Sequence, residues 1–462
     1  MIRLFHVHFP TRTLLLAVSE AFLIPLALLA ASWARWGGAS ELWLRQEHGF
    51  LKITIVSIVC MLCMYYYDLY DSLVLKSLRE SLTRLVQVLG TVCIVLALLY
   101  FAYPELRIGA GTFLTGMGLA GLFLGVWRDL FLALNRSSRL TERAAILGDG
   151  TLAVAVAEEI EKRPELGLHL LGWVGQPVDP GNRSSRIPHV KDVRELPALV
   201  ERERITHVFV AMNDRRGKLP VAELLQVKKQ GVRFMDGADF YEIMTGKVLL
   251  DSLRPSQLLF STFRVSPLMR LYKRTFSVLF SIFGLLLSSP LMGLIALAIW
   301  LDSGGPIVFR QRRVGQGGGL FTLYKFRSMR RPPNTEEGYK PLQENDTRFT
   351  RVGRWLRRTR LDELPQLYNI LRGDMYFVGP RPFAREEELE LAEQIPFYRQ
   401  RWIVKPGATG WAQVHRGYCA SLNDNSEKLA YDLFYIKNMS FGLDLLILLQ
   451  TTKILLLGRG AR

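Results

Sequence analysis

The sequence is poor in cysteine and in acidic residues. It has only four cysteines in 462 residues, which excludes a disulfide-stapled scaffold. Cys60, Cys63 and Cys93 lie inside apolar runs, so we interpret them as lipid-facing or core residues and not as metal ligands. Forty-two acidic residues stand against 59 basic ones, a formal charge of +17. Such a charge is typical of proteins that bind nucleic acid, anionic lipid or a phosphorylated substrate.

The chain is nevertheless hydrophobic. Apolar residues make up 49% of it and the mean hydropathy is +0.14, although 22% of the residues are charged. These values exclude a disordered chain and argue against a uniformly soluble enzyme, because the apolar residues must be concentrated in particular segments. At roughly 150 residues per domain, the length predicts about three domains.

Four apolar stretches fill the first 135 residues, and each approaches the roughly 20 residues that cross a bilayer as a helix. They are residues 14–33, 50–67, 85–103 and 113–134. The flanking basic residues place the N-terminus and everything after the fourth stretch in the cytoplasm by the positive-inside rule. Glu20 lies within the first stretch, and we interpret it as facing the helix bundle.

From about residue 141 the composition is that of a soluble domain. Gly148, Gly150 and Ala153 match G-x-G-x-x-A between a short apolar run and an amphipathic helix, a weak signal for a phosphate-binding loop. Strand-like and helical runs then alternate, which predicts a parallel α/β sheet. The next strand ends at Gln176 without a carboxylate before Asp179, so the expected ribose-binding acid is missing or displaced. We favour a structural or regulatory Rossmann-like domain, with a true nucleotide site as the alternative.

A fifth apolar run covers residues 276–301 and contains Ser288, Ser289 and Pro290 in its middle. Basic residues flank both ends, which favours the cytoplasmic side for both. We therefore predict a re-entrant, broken helix that turns at Ser289-Pro290, rather than a fifth span with a proline kink. Pro290 removes a backbone donor, and the two serine hydroxyls are expected to bind the carbonyls that this frees.

The positive charge is concentrated directly after this run. Fourteen basic and four acidic residues lie between Arg310 and Arg360, more than half of the net charge within 51 residues. This position predicts a surface for lipid headgroups and phosphates, with Lys325 and Arg327 among the candidate phosphate-binding residues. We expect no nucleic-acid partner, because a membrane-anchored surface is poorly placed to bind DNA. Nucleic-acid binding would also require aromatic residues spaced for base stacking or a recognition helix.

The basic stretch ends in two adjacent acids, Asp362 and Glu363. Surface acids after a basic run are usually only its solvated partners, but arginines stand five, four and two residues before Asp362. We expect a carboxylate near these guanidinium groups to stay ionised, as a nucleophile must. Adjacent carboxylates can also hold Mg²⁺ together with waters and substrate phosphates. The pattern predicts attack on phosphorus, with cations neutralising the phosphate charge.

Residues from about 269 to 457 resemble the bacterial sugar transferases, or monotopic phosphoglycosyl transferases, and specifically their large polytopic branch, which initiates exopolysaccharide or O-antigen synthesis. The resemblance rests on an ordered series of motifs. They are KRTFSVLFSIFGLLLSSPLMGLIALAIWLDSGGPIVFRQRRVGQGGG, LYKFRSM, NDTRFTRVGRWLRRTRLDELPQLYNILRGDM, VGPRP and VKPGATGWAQV. The four apolar stretches and the GDG domain also suit this branch, whose middle domain resembles a CoA- or nucleotide-binding fold.

The resemblance implies a reaction in which a nucleotide-diphosphate sugar, with uridine as the expected base, gives sugar-1-phosphate to polyprenyl phosphate and releases the nucleoside monophosphate. It implies that Asp362 is the nucleophile, that Glu363 completes the dyad, and that Mg²⁺ assists. It implies phosphate binding by Arg357 and substrate binding by Arg381 and Pro382. Ser289-Pro290 match the helix-breaking pair of the family.

The chain departs from the family pattern after GWAQV. Many members carry Asn-Gly-Arg there, whereas this chain has His415, Arg416 and Gly417. His415 and Arg416 are candidate substrate-binding residues, and two interpretations stay open for His415: it contacts the sugar or nucleotide, or it is a tolerated substitution. The last apolar run, residues 443–457, is short for a span and is predicted to be an interfacial helix.

We therefore predict a four-span helical bundle (1–138), a Rossmann-like α/β domain (139–262) and a mixed, mostly helical α/β catalytic domain (263–462) with the re-entrant helix. The expected partners are a UDP-sugar donor, polyprenyl (undecaprenyl) phosphate, lipids of the bacterial inner membrane and a second copy of the chain in a homodimer. The active site is expected on the cytoplasmic face. One alternative is a nucleotide-sensing membrane regulator or scaffold without catalysis. Another is a nucleotide-sugar dehydrogenase or epimerase, which the missing ribose acid and the lack of a Tyr-x-x-x-Lys pair disfavour.

Overall fold

The structure is a computed structural model, and the chain folds as two compact units, residues 8–237 and 238–462, with residues 1–7 divided between them. Both predicted domain boundaries, after residues 138 and 262, fall outside the described residues and stay predictions. The described residues are 2–4, 7–9, 11–71, 74, 77–136, 142–163, 166–175, 189–190, 192–212, 219–253, 265–330, 334–335, 338–339, 348–416 and 421–456.

Long apolar helices open the first unit after two short strands, β1 (Ile2–Leu4) and β2 (Val7–Phe9). The helices are α1 (Thr11–Trp36), α2 (Ser40–Gln46), α3 (Gly49–Tyr66), α4 (Leu78–Ala102) and α5 (Ala110–Arg136). Within the described part of the chain, five helical segments are long and apolar enough to cross a membrane, four of them here and one at Pro267–Ser303. The predicted apolar helices are confirmed and the chain is a membrane protein, whereas the number of crossings stays a prediction.

Glu20 faces the helix bundle, and its partner is Arg128 on α5. The Arg128 guanidinium contacts the Glu20 carboxylate at 2.7 and 3.0 Å and donates to the Leu69 carbonyl and the Ser81 hydroxyl, each at 3.1 Å. Both charged side chains are buried. Because a charge in an apolar bundle is costly unless it is paired, this ion pair ties together α1, α4 and α5.

Within the described residues, the rest of the first unit contains a five-stranded parallel sheet with strand order β5-β4-β3-β6-β7. This is the order expected of a Rossmann-like fold, so the predicted parallel α/β domain is confirmed. The strands are β3 (Glu142–Leu147), β4 (Leu168–Val174), β5 (His189–Val190), β6 (His207–Val210) and β7 (Arg233–Asp236). The connecting helices are α6 (Thr151–Lys162), α7 (Leu196–Glu203) and α8 (Val221–Lys229).

The predicted glycine loop joins β3 to α6, with Ala153 buried on the helix. Gly148 and Gly150 both have positive φ. A Cβ at Gly148 would overlap the Ala211 carbonyl at the end of β6, and the Trp173 indole donates to the Gly148 carbonyl at 2.9 Å. Gly148 is thus required by packing within the sheet, whatever the loop binds. Gln176 and Asp179, where the ribose-binding acid is predicted to be missing or displaced, lie outside the described residues.

The second unit begins with α9 (Gly237–Thr245) and the 37-residue helix α10 (Pro267–Ser303). Its strands are β8 (Val308–Val314), β9 (Leu320–Phe326), β10 (Asn334–Thr335), β11 (Gly338–Tyr339), β12 (Tyr376–Val378) and β13 (Gly407–Thr409). Its later helices are α11 (Arg351–Thr359), α12 (Gln366–Arg372), α13 (Arg385–Gln394), α14 (Trp411–His415), α15 (Leu422–Lys437) and α16 (Phe441–Leu456). A core built mainly from α13, α15 and α16 supports the short parallel pair β12–β13.

Helix α10 continues through Ser289-Pro290. The interruption that was predicted at this pair is therefore not found. The expected repair of the backbone is present, however. Pro290 cannot donate to the Leu286 carbonyl four residues earlier, and the Ser289 hydroxyl donates to that carbonyl at 2.8 Å, while Ser288 donates to Gly284 at 2.6 Å. The Ser289 hydroxyl therefore pairs with the Leu286 carbonyl that Pro290 leaves without its helical donor, whereas Ser288 binds a carbonyl that Pro290 does not free.

Candidate active site

The two predicted catalytic acids lie on a sharp change of direction between two helices. Thr350 caps the start of α11, where its hydroxyl accepts from the Gly353 amide at 2.8 Å, and Arg360 follows the helix in the left-handed conformation (φ 55°). A single 3-10 turn, Leu361–Glu363, follows and leads into α12. Buried Leu356 packs α11 against α10, so the membrane helix sets the position of the turn.

Glu363 is held by two cations. One carboxylate oxygen, Oε1, accepts from Lys325 Nζ on β9 at 3.1 Å and from Arg381 Nη2 at 2.9 Å. Burial alone would raise the pKa of Glu363, but Lys325 and Arg381 outweigh it and hold the pKa well below its usual range. Glu363 is therefore a permanent negative charge that orients two positive side chains.

Asp362 has a different environment, although it is the adjacent residue. Its side chain is buried, with 8% of its surface exposed, and within the described residues no side chain donates a hydrogen bond to its carboxylate. Burial raises the pKa of Asp362, Glu363 adds to this, and Lys325, Arg357 and Arg381 offset it only in part. The nearby guanidinium groups do lower the pKa of Asp362, but desolvation is the larger effect and the net shift is upward.

Arg357 and Arg381 lie close enough to Asp362 to act on its charge, as their effects on its pKa show. The Arg357 guanidinium lies over the Phe349 ring, 4.6 Å from its centre. The Pro382 carbonyl accepts from Arg313 Nη1 at 2.6 Å. The structure thus brings together Asp362, Glu363, Lys325, Arg357 and Arg381.

Arg327 lies at the end of α10, and its phosphate binding stays a prediction. Its guanidinium donates to the carbonyls of Ser303, Gly304 and Gly305 and to the Ser303 hydroxyl, at 2.5–2.9 Å. These groups form the C-terminal end of α10, where carbonyls lack helical partners and a cation is favoured. Arg327 therefore caps the membrane helix, and the structure does not direct it toward the dyad.

His415 and Arg416 belong to a second cluster, and no contact within the described residues joins it to the dyad. His415 Nδ1 lies 3.0 Å from the Trp411 carbonyl oxygen, and its ring stacks on Tyr431. Arg416 pairs with Glu427. The motif that follows, residues 417–420, lies outside the described residues.

Three buried or half-buried cations next to the site were not predicted from the sequence. Lys273 on α10, Arg313 on β8 and Arg401 each donate to a main-chain carbonyl between residues 378 and 382. Nothing in the local sequence distinguishes them from solvent-exposed basic residues, since their partners lie 20 to 105 residues away.

The dyad fits the chemistry of a magnesium site. Two adjacent carboxylates supply hard oxygen ligands, and Asp362 lacks a described protein donor that would compete. The described residues contain no cluster of three or more acidic, histidine or cysteine ligands. A cation here would therefore complete its shell with water and substrate oxygens, as Mg²⁺ commonly does.

The fold and the site define a membrane protein with a cation-rimmed carboxylate pair, in a chain that also carries a parallel α/β domain. The profile of the bacterial sugar transferase family matches residues 268–458, and that of the CoA-binding domain family matches residues 66–227. A UDP-glucose:undecaprenyl-phosphate glucose-1-phosphate transferase from Caulobacter vibrioides is 43% identical over 190 residues, which cover 40% of this chain and 70% of that protein. The chain belongs to the bacterial sugar transferase family.

Two further relatives differ in the sugar that they are named for. A UDP-N-acetylgalactosamine-undecaprenyl-phosphate N-acetylgalactosaminephosphotransferase from Aeromonas hydrophila is 45% identical over 222 residues, 48% of this chain and 52% of that protein. An undecaprenyl-phosphate glucose phosphotransferase from Komagataeibacter xylinus is 34% identical over 336 residues, 70% of this chain and 60% of that protein. The chain thus spans between half and two thirds of the length of these two relatives.

Proposed function

We propose that the protein transfers sugar-1-phosphate from a UDP-hexose to undecaprenyl phosphate and releases UMP. The observation that carries this proposal is the pairing of buried Asp362, which has no described hydrogen-bond donor, with Glu363, which Lys325 and Arg381 hold in place. The named activities of the relatives support the same chemistry. Since those names include glucose and N-acetylgalactosamine, the sugar of this chain is the part to be measured.

The reaction would proceed in two displacements at one phosphorus. A carboxylate oxygen of Asp362 attacks the phosphorus that bears the sugar, the bond to the bridging oxygen breaks, and UMP leaves. An oxygen of undecaprenyl phosphate then attacks the same phosphorus and returns the Asp362 carboxylate. Lys325, Arg357 and Arg381 would neutralise the phosphate oxygens. Mg²⁺ held by Asp362 and Glu363 would supply further charge neutralisation at the phosphates.

The acceptor is a lipid, so the site must lie at headgroup height, and we propose that α10 is re-entrant from the cytoplasmic face of the inner membrane. Both ends of α10 are attached to the same compact unit. Near its start, Arg274 donates to the carbonyls of Ile370 and Leu371 at 3.1 and 2.9 Å. At its end, Asp302 accepts from the Val352 amide at 3.1 Å. A crossing between these contacts would require one compact unit to lie on both sides of the bilayer.

The apolar middle of α10 supports this placement. Phe283, Leu286 and Leu287 are 64%, 70% and 71% exposed, as expected of side chains that contact lipid rather than protein. Helix α16 buries Leu443 and Ile447 in the core of the second unit and exposes Leu445 and Leu449. This two-faced pattern supports the proposal that α16 lies in the interface.

The test is a donor panel with purified full-length protein, undecaprenyl phosphate and Mg²⁺, scored by released UMP and by labelled lipid product. We expect one or a few UDP-sugars to give both products, with ping-pong kinetics. Asp362→Asn should abolish turnover, whereas Asp251→Asn, at an exposed carboxylate of the same unit, should not. Turnover that survives Asp362→Asn would move the nucleophile elsewhere, and no UMP from any donor would refute the proposal.

The regulator without catalysis has no comparable support, since Gly148 has a packing role of its own. The proposed homodimer is tested separately, by the mass of the protein in detergent after subtraction of bound detergent.

A further inference from the structure

The segment that presents Arg381 to Glu363 has a main chain fixed at four of its five carbonyls between residues 378 and 382. The Val378 carbonyl accepts from Lys273 Nζ at 3.0 Å, and the Pro380 carbonyl accepts from the Gly407 amide at 2.9 Å. The Arg381 carbonyl accepts from Arg401 Nη2 at 2.8 Å, and the next carbonyl, that of Pro382, accepts from Arg313. Short segments without regular structure are normally free to move, so this set of partners marks a segment held rigid.

Arg401 is one of two buried cations among these partners, with 4% of its surface exposed against 3% for Lys273. Its Nε donates to Asp432 at 3.1 Å, and its Nη1 donates to Glu388 at 3.1 Å and to the Tyr398 hydroxyl at 2.5 Å. The hydrogen bond from Nη2 to Arg381 is the one that leaves this cluster for the active-site segment. The guanidinium thus connects a rigid, charge-paired core to the residue that binds the catalytic dyad.

We propose that Arg401 is a positioning residue, which fixes the Arg381 main chain so that the Arg381 guanidinium meets Glu363. This inference rests on the proposed function for its effect on turnover, but not for its effect on structure. Arg401 lies in a buried cluster and is placed to act through Arg381 rather than on substrate.

The planar shape of guanidinium is essential to this role. Arginine offers five donors in a fixed fork, whereas lysine offers one ammonium on a flexible stem. A lysine at position 401 keeps the charge that Glu388 and Asp432 require, but it cannot reach both carboxylates and the Arg381 carbonyl in the same geometry. Arg401→Lys should therefore keep the positive charge of the cluster while it weakens the hydrogen bond to the Arg381 carbonyl.

The experiment compares Arg401→Lys with Tyr398→Phe in the full-length protein. Both variants remove a hydrogen bond from the buried cluster, but only the first alters the contact with Arg381. Hydrogen–deuterium exchange of peptides that cover residues 379–384 measures the rigidity of the segment without any need for activity. We expect faster exchange there in Arg401→Lys and wild-type exchange in Tyr398→Phe.

Turnover provides the second measurement. If Arg381 is displaced by about an ångström, kcat should fall about 10- to 100-fold in Arg401→Lys, with Tyr398→Phe close to wild type. If Arg401→Lys does not fold, Arg401→Gln/Asp432→Asn keeps the net charge of the cluster and still removes the bond to Arg381.

The possible results are distinct. Equal exchange of the 379–384 peptides in both variants would overturn the positioning role. So would a fall in kcat that is in proportion to the loss of thermal stability in both variants. A wild-type protein without turnover would refute the proposed function, and the exchange comparison would still decide whether Arg401 holds the Arg381 segment.

Discussion

Glu363 Oε1 and Arg381 Nη2 lie 2.9 Å apart, and this contact distinguishes the environment of Glu363 from that of the adjacent Asp362. Glu363 pairs with Arg381 and Lys325, and burial separates Asp362 from water without giving it a described donor of its own. A nucleophile gains from weak solvation, whereas an orienting group gains from firm pairing. The turn therefore suits the proposed roles of Asp362 as nucleophile and Glu363 as orienting group.

The pH dependence of turnover should report the raised pKa of Asp362. Burial disfavours the ionised form, and only the ionised form can attack phosphorus. Activity should therefore fall, as the pH is lowered, at a pH above the usual carboxyl range of about 3.9. The measurement is kcat against pH at saturating donor and acceptor. A profile without an acid limb above that range would contradict the assignment of Asp362.

Glu363→Gln should move the acid limb of the pH profile to lower pH, because Glu363 is one of the charges that raise the pKa of Asp362. It should also lower kcat about tenfold or more, since Arg381 and Lys325 lose the carboxylate that orients them. The pH profile of the variant separates this from a folding defect, which would reduce the rate without moving the limb.

The two acids should have opposite effects on stability at neutral pH. A raised folded-state pKa means that the folded protein binds the Asp362 proton more tightly than the unfolded chain, so stability is lost as the pH rises through that pKa. Asp362→Asn should thus raise the melting temperature. Glu363 has a lowered pKa, so its contribution is present at neutral pH and is lost as the pH falls. Glu363→Gln should lower the free energy of unfolding by about 2 kcal/mol. Melting curves at pH 7 measure whether each variant raises or lowers the melting temperature.

The buried pair of Glu20 and Arg128 should behave as a single unit. Arg128→Met leaves an unpaired carboxylate in the bundle and removes donors from Leu69 and Ser81, so it should cost about 3–5 kcal/mol. Glu20→Leu/Arg128→Met should recover most of this loss, since a well-packed apolar pair of similar volume is often neutral. Unfolding in detergent measures the difference. A double variant as unstable as the single one would show that the other hydrogen bonds of Arg128 matter more than the charge pair.

The sequence predicts those features that depend on local pattern. Hydropathy identifies the apolar helices, alternation identifies the parallel sheet, and the position of Pro290 identifies the carbonyl that Ser289 binds. The family resemblance supplied the dyad. These features repeat or are contiguous along the chain, so a short window of sequence contains them.

Pairings between distant residues could not be predicted. Arg128 lies 108 residues from Glu20, and Arg381 lies 18 residues from Glu363. The same limit applies to Arg327, because a basic residue that caps a helix end has the same local signature as one that binds phosphate. Part of the positive charge after α10 is therefore used on main-chain carbonyls, by Arg327 and Arg313.

The re-entrant path of α10 can be tested with one cysteine at its end. In a background that lacks the four native cysteines, Gly305→Cys places a thiol at an exposed position just after α10. Gly38→Cys, in the exposed turn between α1 and α2, provides the control, because the positive-inside rule places that turn in the periplasm. A thiol reagent that does not cross the inner membrane should label the Gly38 variant in intact cells and spare the Gly305 variant until the cells are permeabilised. The reason is that Asp302 and Arg274 attach both ends of α10 to one compact unit, so both must lie on the same side. Labelling of the Gly305 variant in intact cells would instead establish a fifth crossing.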